Sequence, residues 1–431
     1  MKQVLIFAHD FPPLTSIGAM RPESWFKYFK DYGLYPIIVT RNWSKKPNSY
    51  LDYYKPSENN VLEIIENKNG ILIKVPYRPN LRDRLIVKNR FTLLRKILSF
   101  IMEFSKYRTF VGDNSRELYY AADNYIKKNK VDFILSTGEP WVCFRYAHLL
   151  SKKYNIPWAS DYRDGWNTDV SMNEIPWLLK KYYLVVRGSI EKKYAKSASF
   201  ISVSDPDILK KNIEYLGVDE KKYINPLNGY DNQKIDSLSK IKQSHDIFKI
   251  GYAGTIYSFQ RLDLFLDGLT KFINQHSLTP KDLKVLFIGS EYYTEQKDRI
   301  LNHNTEISDF LITTPRMSHL QSLSELKSCN LLLLLCNDEF VALPAKIFEY
   351  FGLERKILVV KNDKNVVENF IQETKGGDLC NDSEDVFKSL CANYNLFLEN
   401  KRIENKINDK EKYSRRTQAK KIVDEILQRL K

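Results

Sequence analysis

Short apolar runs alternate with segments of helical periodicity along almost the whole chain. Residues 4–9, 36–40, 131–137, 156–162 and 200–204 read as strands, and 22–32, 142–154, 174–197 and 207–216 as helices, the first closed by Gly33. A polar, lysine-rich stretch from 232 to 246 reads as a linker. Beyond it the alternation restarts, with strands at 248–253, 284–289, 310–314, 331–335 and 357–360 and helices at 262–275, 320–328 and 345–351. Strands separated by helices of roughly ten or more residues predict parallel sheets. The expected architecture is α/β: two doubly wound Rossmann-like domains, 1–235 and 246–410, with parallel sheets facing across a cleft, and a helical tail, 411–431, that can pack on either domain, the first being the candidate. In such sheets ligands collect at the carboxyl ends of strands.

Composition narrows the setting. The chain has 431 residues, 43% of them hydrophobic, enough for a substantial core. Its five cysteines are scattered without a Cys-x-x-Cys pair, which predicts reduced thiols and a cytoplasmic location. The first apolar run is too short for a signal peptide, and none approaches the roughly 18 apolar residues of a membrane span. The formal charge of +14 suits nucleic acid, an anionic membrane face or anionic substrates, or reflects a general lysine bias; of these, no nucleic-acid partner is expected. One segment concentrates that charge. Residues 78–108 hold nine Lys or Arg against Asp83 and Glu103, interleaved with Leu93, Leu94, Ile97, Leu98, Ile101, Met102 and Phe104. This is the pattern of a basic amphipathic helix suited to peripheral contact with an anionic membrane, or of a solvated helix packed on its own domain.

Pro344-Ala-Lys-Ile-Phe-Glu349 stands out chemically. It opens a helix between the apolar runs at 331–335 and 357–360. Pro344 suits the first helical position. No Ser, Thr, Asn or Asp stands just before it, so the first-turn N–H groups lack a side-chain cap and can meet an anion. Lys346 is then a candidate phosphate ligand. Glu349, three residues on and on the same face, is a carboxylate able to accept from two ribose hydroxyls. The competing account is a plain amphipathic helix with an ion pair.

Other strand ends supply further candidates. Gly18 marks a loop where backbone can approach a ligand, and Arg21 is a candidate clamp for phosphate or carboxylate. Gly138 and Glu139 lie in the turn after 131–137. Arg163, Asp164 and Trp166 follow the strand at 156–162: an anion ligand, a residue to orient an acceptor hydroxyl or act as base, and an apolar face for a sugar ring. In the second half, Gly254 and Thr255 offer backbone N–H groups to a diphosphate, and Arg261 stands near the same charge. The loop carrying Thr314 and Arg316 offers its backbone to a base edge, and Glu339 is a candidate partner for a donor-sugar hydroxyl. Each also admits a structural account as a tight turn or an ion pair. His9 ends the first strand and reads as structural. Asp205-Pro-Asp207 has D-x-D spacing but sits where a helix starts and Asp caps, so no metal site is expected.

Phe11-Pro-Pro13 with Gly18, Asp161-Tyr-Arg-Asp164, Asn228-Gly-Tyr-Asp231, Gly251-Tyr-Ala-Gly254 and Pro344-Ala-Lys-Ile-Phe-Glu349 occur in that order over nearly the whole chain. Together they resemble a family 4 (group 1) retaining glycosyltransferase of the GT-B type, closest to the bacterial branch that builds surface polysaccharides. The resemblance implies a nucleotide diphosphate-sugar donor on the second domain and a glycan or lipid-linked acceptor on the first. It implies retention by front-face attack and no metal or other cofactor. Glu349 would bind the ribose, Lys346 the diphosphate, and Arg163 and Asp164 would stand where many members carry a catalytic-loop histidine. The chain departs from the family at Val341, where a second glutamate is common, and at Thr255 and Gln260, where Arg and Lys are usual. A nucleotide-sugar epimerase of the same architecture, or a partner protein without turnover, are the alternatives.

Overall fold

The computed structural model describes residues 1–14, 16–43, 50–168, 177–337, 342–405 and 407–431. The chain forms two compact units, Met1–Leu227 with Arg416–Lys431, and Asn228–Arg415. The first is built on eight strands: β1 (Lys2–Phe7), β2 (Leu34–Arg41), β3 (Glu63–Glu66), β4 (Ile71–Val75), β5 (Phe133–Gly138), β6 (Trp158–Tyr162), β7 (Phe200–Val203) and β8 (Tyr223–Ile224). Their order is β3-β4-β2-β1-β5-β6-β7-β8. Every pairing is parallel except β3 with β4, so the parallel sheet ends in one antiparallel edge hairpin. The central strands carry apolar side chains on both faces, as a sheet covered by helices on each side requires.

The helix expected at 22–32 begins earlier, at Ile17, because the Ser16 side chain accepts from the Ala19 N–H and caps it there. Pro22 therefore lies inside the helix rather than at its start. The segment 78–108 is two helices, Leu81–Val87 and Thr92–Ser105, not one. Asn89 and Phe91 between them adopt φ of +48° and +52°, which a continuing helix forbids. The helix Arg415–Arg429 packs Ala419, Ile422, Val423 and Ile426 against Val4, Ile6, Trp25 and Phe133, one face of the first unit's sheet.

The second unit has six parallel strands, β9 (Phe248–Ala253), β10 (Leu283–Ile288), β11 (Leu311–Thr313), β12 (Leu331–Leu335), β13 (Lys356–Val360) and β14 (Gly377–Cys380), ordered β11-β10-β9-β12-β13-β14. The order reverses at β9 and β12, the place where a doubly wound sheet opens a crevice for a ligand. The five leucines of β12 are buried on both faces. The lysine-rich stretch expected as a linker starts with a short helix, Asn232–Ser237, capped by Asp231.

Candidate functional site

In the second unit, the carboxyl end of β9 and the start of the helix Ala345–Gly352 meet at the switch point. The helix begins at Ala345; Pro344 is the extended residue before it and supplies no side-chain cap. Lys346 Nζ donates to the Tyr252 hydroxyl at 2.9 Å and lies 4.2 Å from the centre of its ring. Tyr252 in turn donates to the Thr255 carbonyl at 2.7 Å. Gly254, at φ +104°, passes so close that a Cβ there would come within 3.5 Å of the Lys346 ammonium. The structure thus brings Gly254, Thr255 and Lys346 together. Burial pushes the Lys346 ammonium below the usual lysine range, and a nearby anion would favour its charged form. The Gly254 N–H is not available to a diphosphate, because it donates to the Ile288 carbonyl at 3.0 Å.

Glu349 lies one turn deeper and does not pair with Lys346. Its Oε1 sits 2.8 Å from His319 Nε2 and 3.8 Å from Arg415 Nη2. Lys234 Nζ approaches His319 Nδ1 at 3.4 Å. An ammonium only donates, so Nδ1 accepts and the ring proton sits on Nε2, facing Glu349. Burial works against the Glu349 charge, but the His319 hydrogen bond and the neighbouring cations outweigh it and hold the carboxyl below its usual range. His319, Arg415 and Lys234 carried no motif in the sequence. His319 opens the helix His319–Ser328, and Lys234 and Arg415 come from segments at the two ends of the unit.

In the first unit, a cavity of about 460 Å³ opens at the carboxyl ends of β1, β5 and β6. His9 Nδ1 lies 3.0 Å from Asp10 Oδ1, and the Tyr53 hydroxyl donates to Asp10 Oδ2 at 2.9 Å. Burial and then nearby cations lower the His9 ring, against the pull of Asp10. Burial opposes the Asp10 charge, yet the His9 bond and the Arg163 charge bring its carboxyl below the usual range. Arg163 Nε donates to the Gly138 carbonyl and Nη2 to that of Glu139. Its guanidinium fills the space that a Cβ on Gly18 would occupy, so Gly18 makes room for Arg163. Desolvation by the cavity wall, then the Asp164 carboxylate, push Glu139 up. The expected residues Gly18, Gly138, Glu139, Arg163 and Asp164 are thereby gathered. His9, expected to be structural, lines the cavity. Asp10 and Tyr53 join it unannounced; Tyr53 comes from the short turn of helix Tyr50–Tyr54 between β2 and β3.

No protein-family model matches this chain, and no curated protein does. Solved structures do. A glycosyltransferase from Rickettsia africae is 16% identical, with a TM-score of 0.55 over 99% of this chain and 96% of its own. The lipopolysaccharide outer core galactosyltransferase WaaB, in apo form, is 11% identical, with a TM-score of 0.55 over the full length of both chains. A UDP-GlcNAc 2-epimerase from Neisseria meningitidis, bound to UDP-GlcNAc, is 10% identical, with a TM-score of 0.53 over 99% of this chain and 100% of its own. The fold is GT-B.

Several expected ligands are engaged elsewhere in this GT-B chain. Arg21 is buried, with Nε and Nη2 on Asp161 at 2.7–3.1 Å and Nη1 on the Pro226 and Leu227 carbonyls. It clamps a carboxylate of the protein rather than a ligand. Trp166 is 2% exposed and stacks on Trp141 at 5.4 Å, so no face is left for a sugar. Arg261 pairs with Asp263 at 2.7 Å. The Thr314 N–H donates to Phe287 and its carbonyl accepts from Glu291, so its backbone cannot read a base edge. Arg316 lies 3.5 Å over the Tyr292 ring. Glu339 lies outside the described residues. Asp205 caps its helix, accepting from the Asp207 and Ile208 N–H groups.

Proposed function

We propose that the protein is a retaining glycosyltransferase that moves a sugar from a nucleotide diphosphate-sugar to a glycan or lipid-linked acceptor during bacterial surface-polysaccharide synthesis, at the cytoplasmic face of the membrane. The observation that carries the reading is the convergence of Lys346, Gly254 and an uncapped helix start at the switch point of the second sheet, with Glu349 one turn deeper. The departing diphosphate gathers charge as the glycosidic bond breaks. Lys346 and the first-turn N–H groups neutralise it, the kind of preorganised stabilisation that dominates many enzymes. Glu349 accepts from the ribose. That positive cradle performs the task without a metal. In the first unit Arg163, Asp164 and Glu139 orient the acceptor hydroxyl.

A nucleotide-sugar epimerase is the second reading, favoured by one observation. The cavity of the first unit collects His9, Asp10 and Glu139, the acid–base set that proton abstraction at a sugar carbon needs. Incubation with labelled UDP-, GDP- and dTDP-sugars, with and without a bacterial lipid and glycan extract, separates the two. Transfer that requires extract supports the transferase. A changed sugar without extract supports the epimerase. Neither, with nucleotide still bound, retires both.

A further inference from the structure

The helix Thr92–Ser105 leaves an apolar face uncovered in the first unit. Leu93, Ile97 and Ile101 are 74%, 49% and 55% exposed, at the spacing of a single helical stripe, and Leu94 and Phe100 widen it. A contiguous apolar stripe of this kind marks a contact with another molecule or an apolar phase. Beside it runs a groove whose charged lining, among the described residues, is Arg82, Arg95, Lys96, Lys106 and Arg187 against Glu103 alone. Lys106 and Arg187 approach Glu103 at 2.6 and 3.5 Å, so this carboxylate is already matched and the remaining charge of the described lining is cationic. Arg82, Met102 and Lys106 line both this groove and the cavity that holds His9 and Arg163, so the two adjoin.

Polarity therefore changes in order along one surface: hydrogen-bonding groups in the cavity, cations in the groove, aliphatic side chains on the helix. A second copy of the chain is a poor occupant. A two-fold interface would set each cationic groove against its own image. An anionic bilayer matches both features, with phosphates on the groove and acyl chains under the stripe.

We propose that the helix Thr92–Ser105 and its basic groove dock on an anionic bilayer, and that the adjoining cavity takes its acceptor from that bilayer as a lipid-borne molecule. The second clause rests on the transferase reading; the first does not. The test uses the full chain with phosphatidylcholine vesicles, with and without phosphatidylglycerol, beside the variant Ile97→Glu/Ile101→Glu. Wild type should bind the anionic vesicles about ten-fold or more tightly than the neutral ones, and added salt should weaken that binding. The variant should lose at least ten-fold while keeping its circular-dichroism melt and its affinity for UDP and GDP. Equal binding to both vesicles, or undiminished binding by the variant, overturns the docking. Self-association in the ultracentrifuge that the variant abolishes, without vesicle binding, assigns the stripe to a second copy and overturns it too. Transfer assays with labelled nucleotide-sugars then offer membrane lipid extract and water-soluble glycans together. Label in the organic phase supports the lipid-borne acceptor, and label in the soluble glycans overturns it. Label in neither retires the transferase reading and the acceptor clause with it, and the vesicle result still decides the docking.

Discussion

His319 Nε2 lies 2.8 Å from Glu349 Oε1, and this contact governs what the carboxylate offers a ligand. One oxygen is held by the ring while the other can accept from a hydroxyl. If Glu349 anchors a ribose, His319 is a positioning residue. His319→Ala should weaken UDP or GDP binding by roughly ten-fold, about 1.4 kcal/mol, with kcat nearly unchanged. His319→Gln, whose amide N–H can stand near Nε2, should restore most of the affinity. Titration calorimetry checks both; unchanged affinity in the alanine variant would remove His319 from recognition.

Lys346 gives a prediction with two opposite pH trends. Lys346→Ala should cut turnover by about 10²–10³ while the melting temperature stays within a few degrees. Burial lowers this ammonium's pKa. The working form is charged, so wild-type turnover should fall with rising pH earlier than a free lysine at about 10.4 implies. Stability moves the other way. The unfolded chain holds this proton more tightly, so Lys346 opposes folding at low pH and stops doing so above its unfolded pKa. A pH–rate profile beside urea midpoints checks both trends.

Glu191 sets a stability trend in the first unit. Burial pushes its carboxyl from 4.5 up to about 7. Below pH 4.5 both states hold the proton and folding suffers no penalty. Between 4.5 and 7 the unfolded chain ionises first, and stability drains away by about 3 kcal/mol. Glu191→Gln should flatten this slope. Urea unfolding at acid and mildly alkaline pH should show the variant gaining on wild type only in the alkaline sample.

Arg21 and Asp161 form a buried pair, 5% and 0% exposed, at 2.7 Å. Removing one partner strands the other charge. Arg21→Ala should destabilise the first unit by about 3–5 kcal/mol, while nucleotide affinity in the second unit persists. A loss of turnover with an unaltered melting curve would instead return Arg21 to the acceptor site.

The fold was largely legible because its strands are apolar runs punctuated by helix periodicity. The runs 248–253 and 331–335 match β9 and β12 residue for residue. The insert between β2 and β5 was not, since its edge hairpin is short and half exposed, with the burial pattern of no core strand. Lys346 and Glu349 could be found because they share one helix turn. Their true partners could not: Tyr252, His319 and Arg415 reach them through tertiary contacts across long sequence separations. Arg21 and Trp166 misled for a related reason. An Arg or Trp in the segment that follows a strand looks the same in sequence whether it faces a ligand or closes the core.

The helix Arg415–Arg429 completes the first unit's core although it follows the whole second unit in the chain. Synthesis therefore delivers the opening and closing layers of that core far apart in time. Until the ribosome has passed the second unit, an apolar slot over Val4, Ile6 and Phe133 waits in water for Ile422, Val423 and Ile426. The first unit to begin folding is the last to finish, and a stalled nascent chain presents chaperones with that open slot.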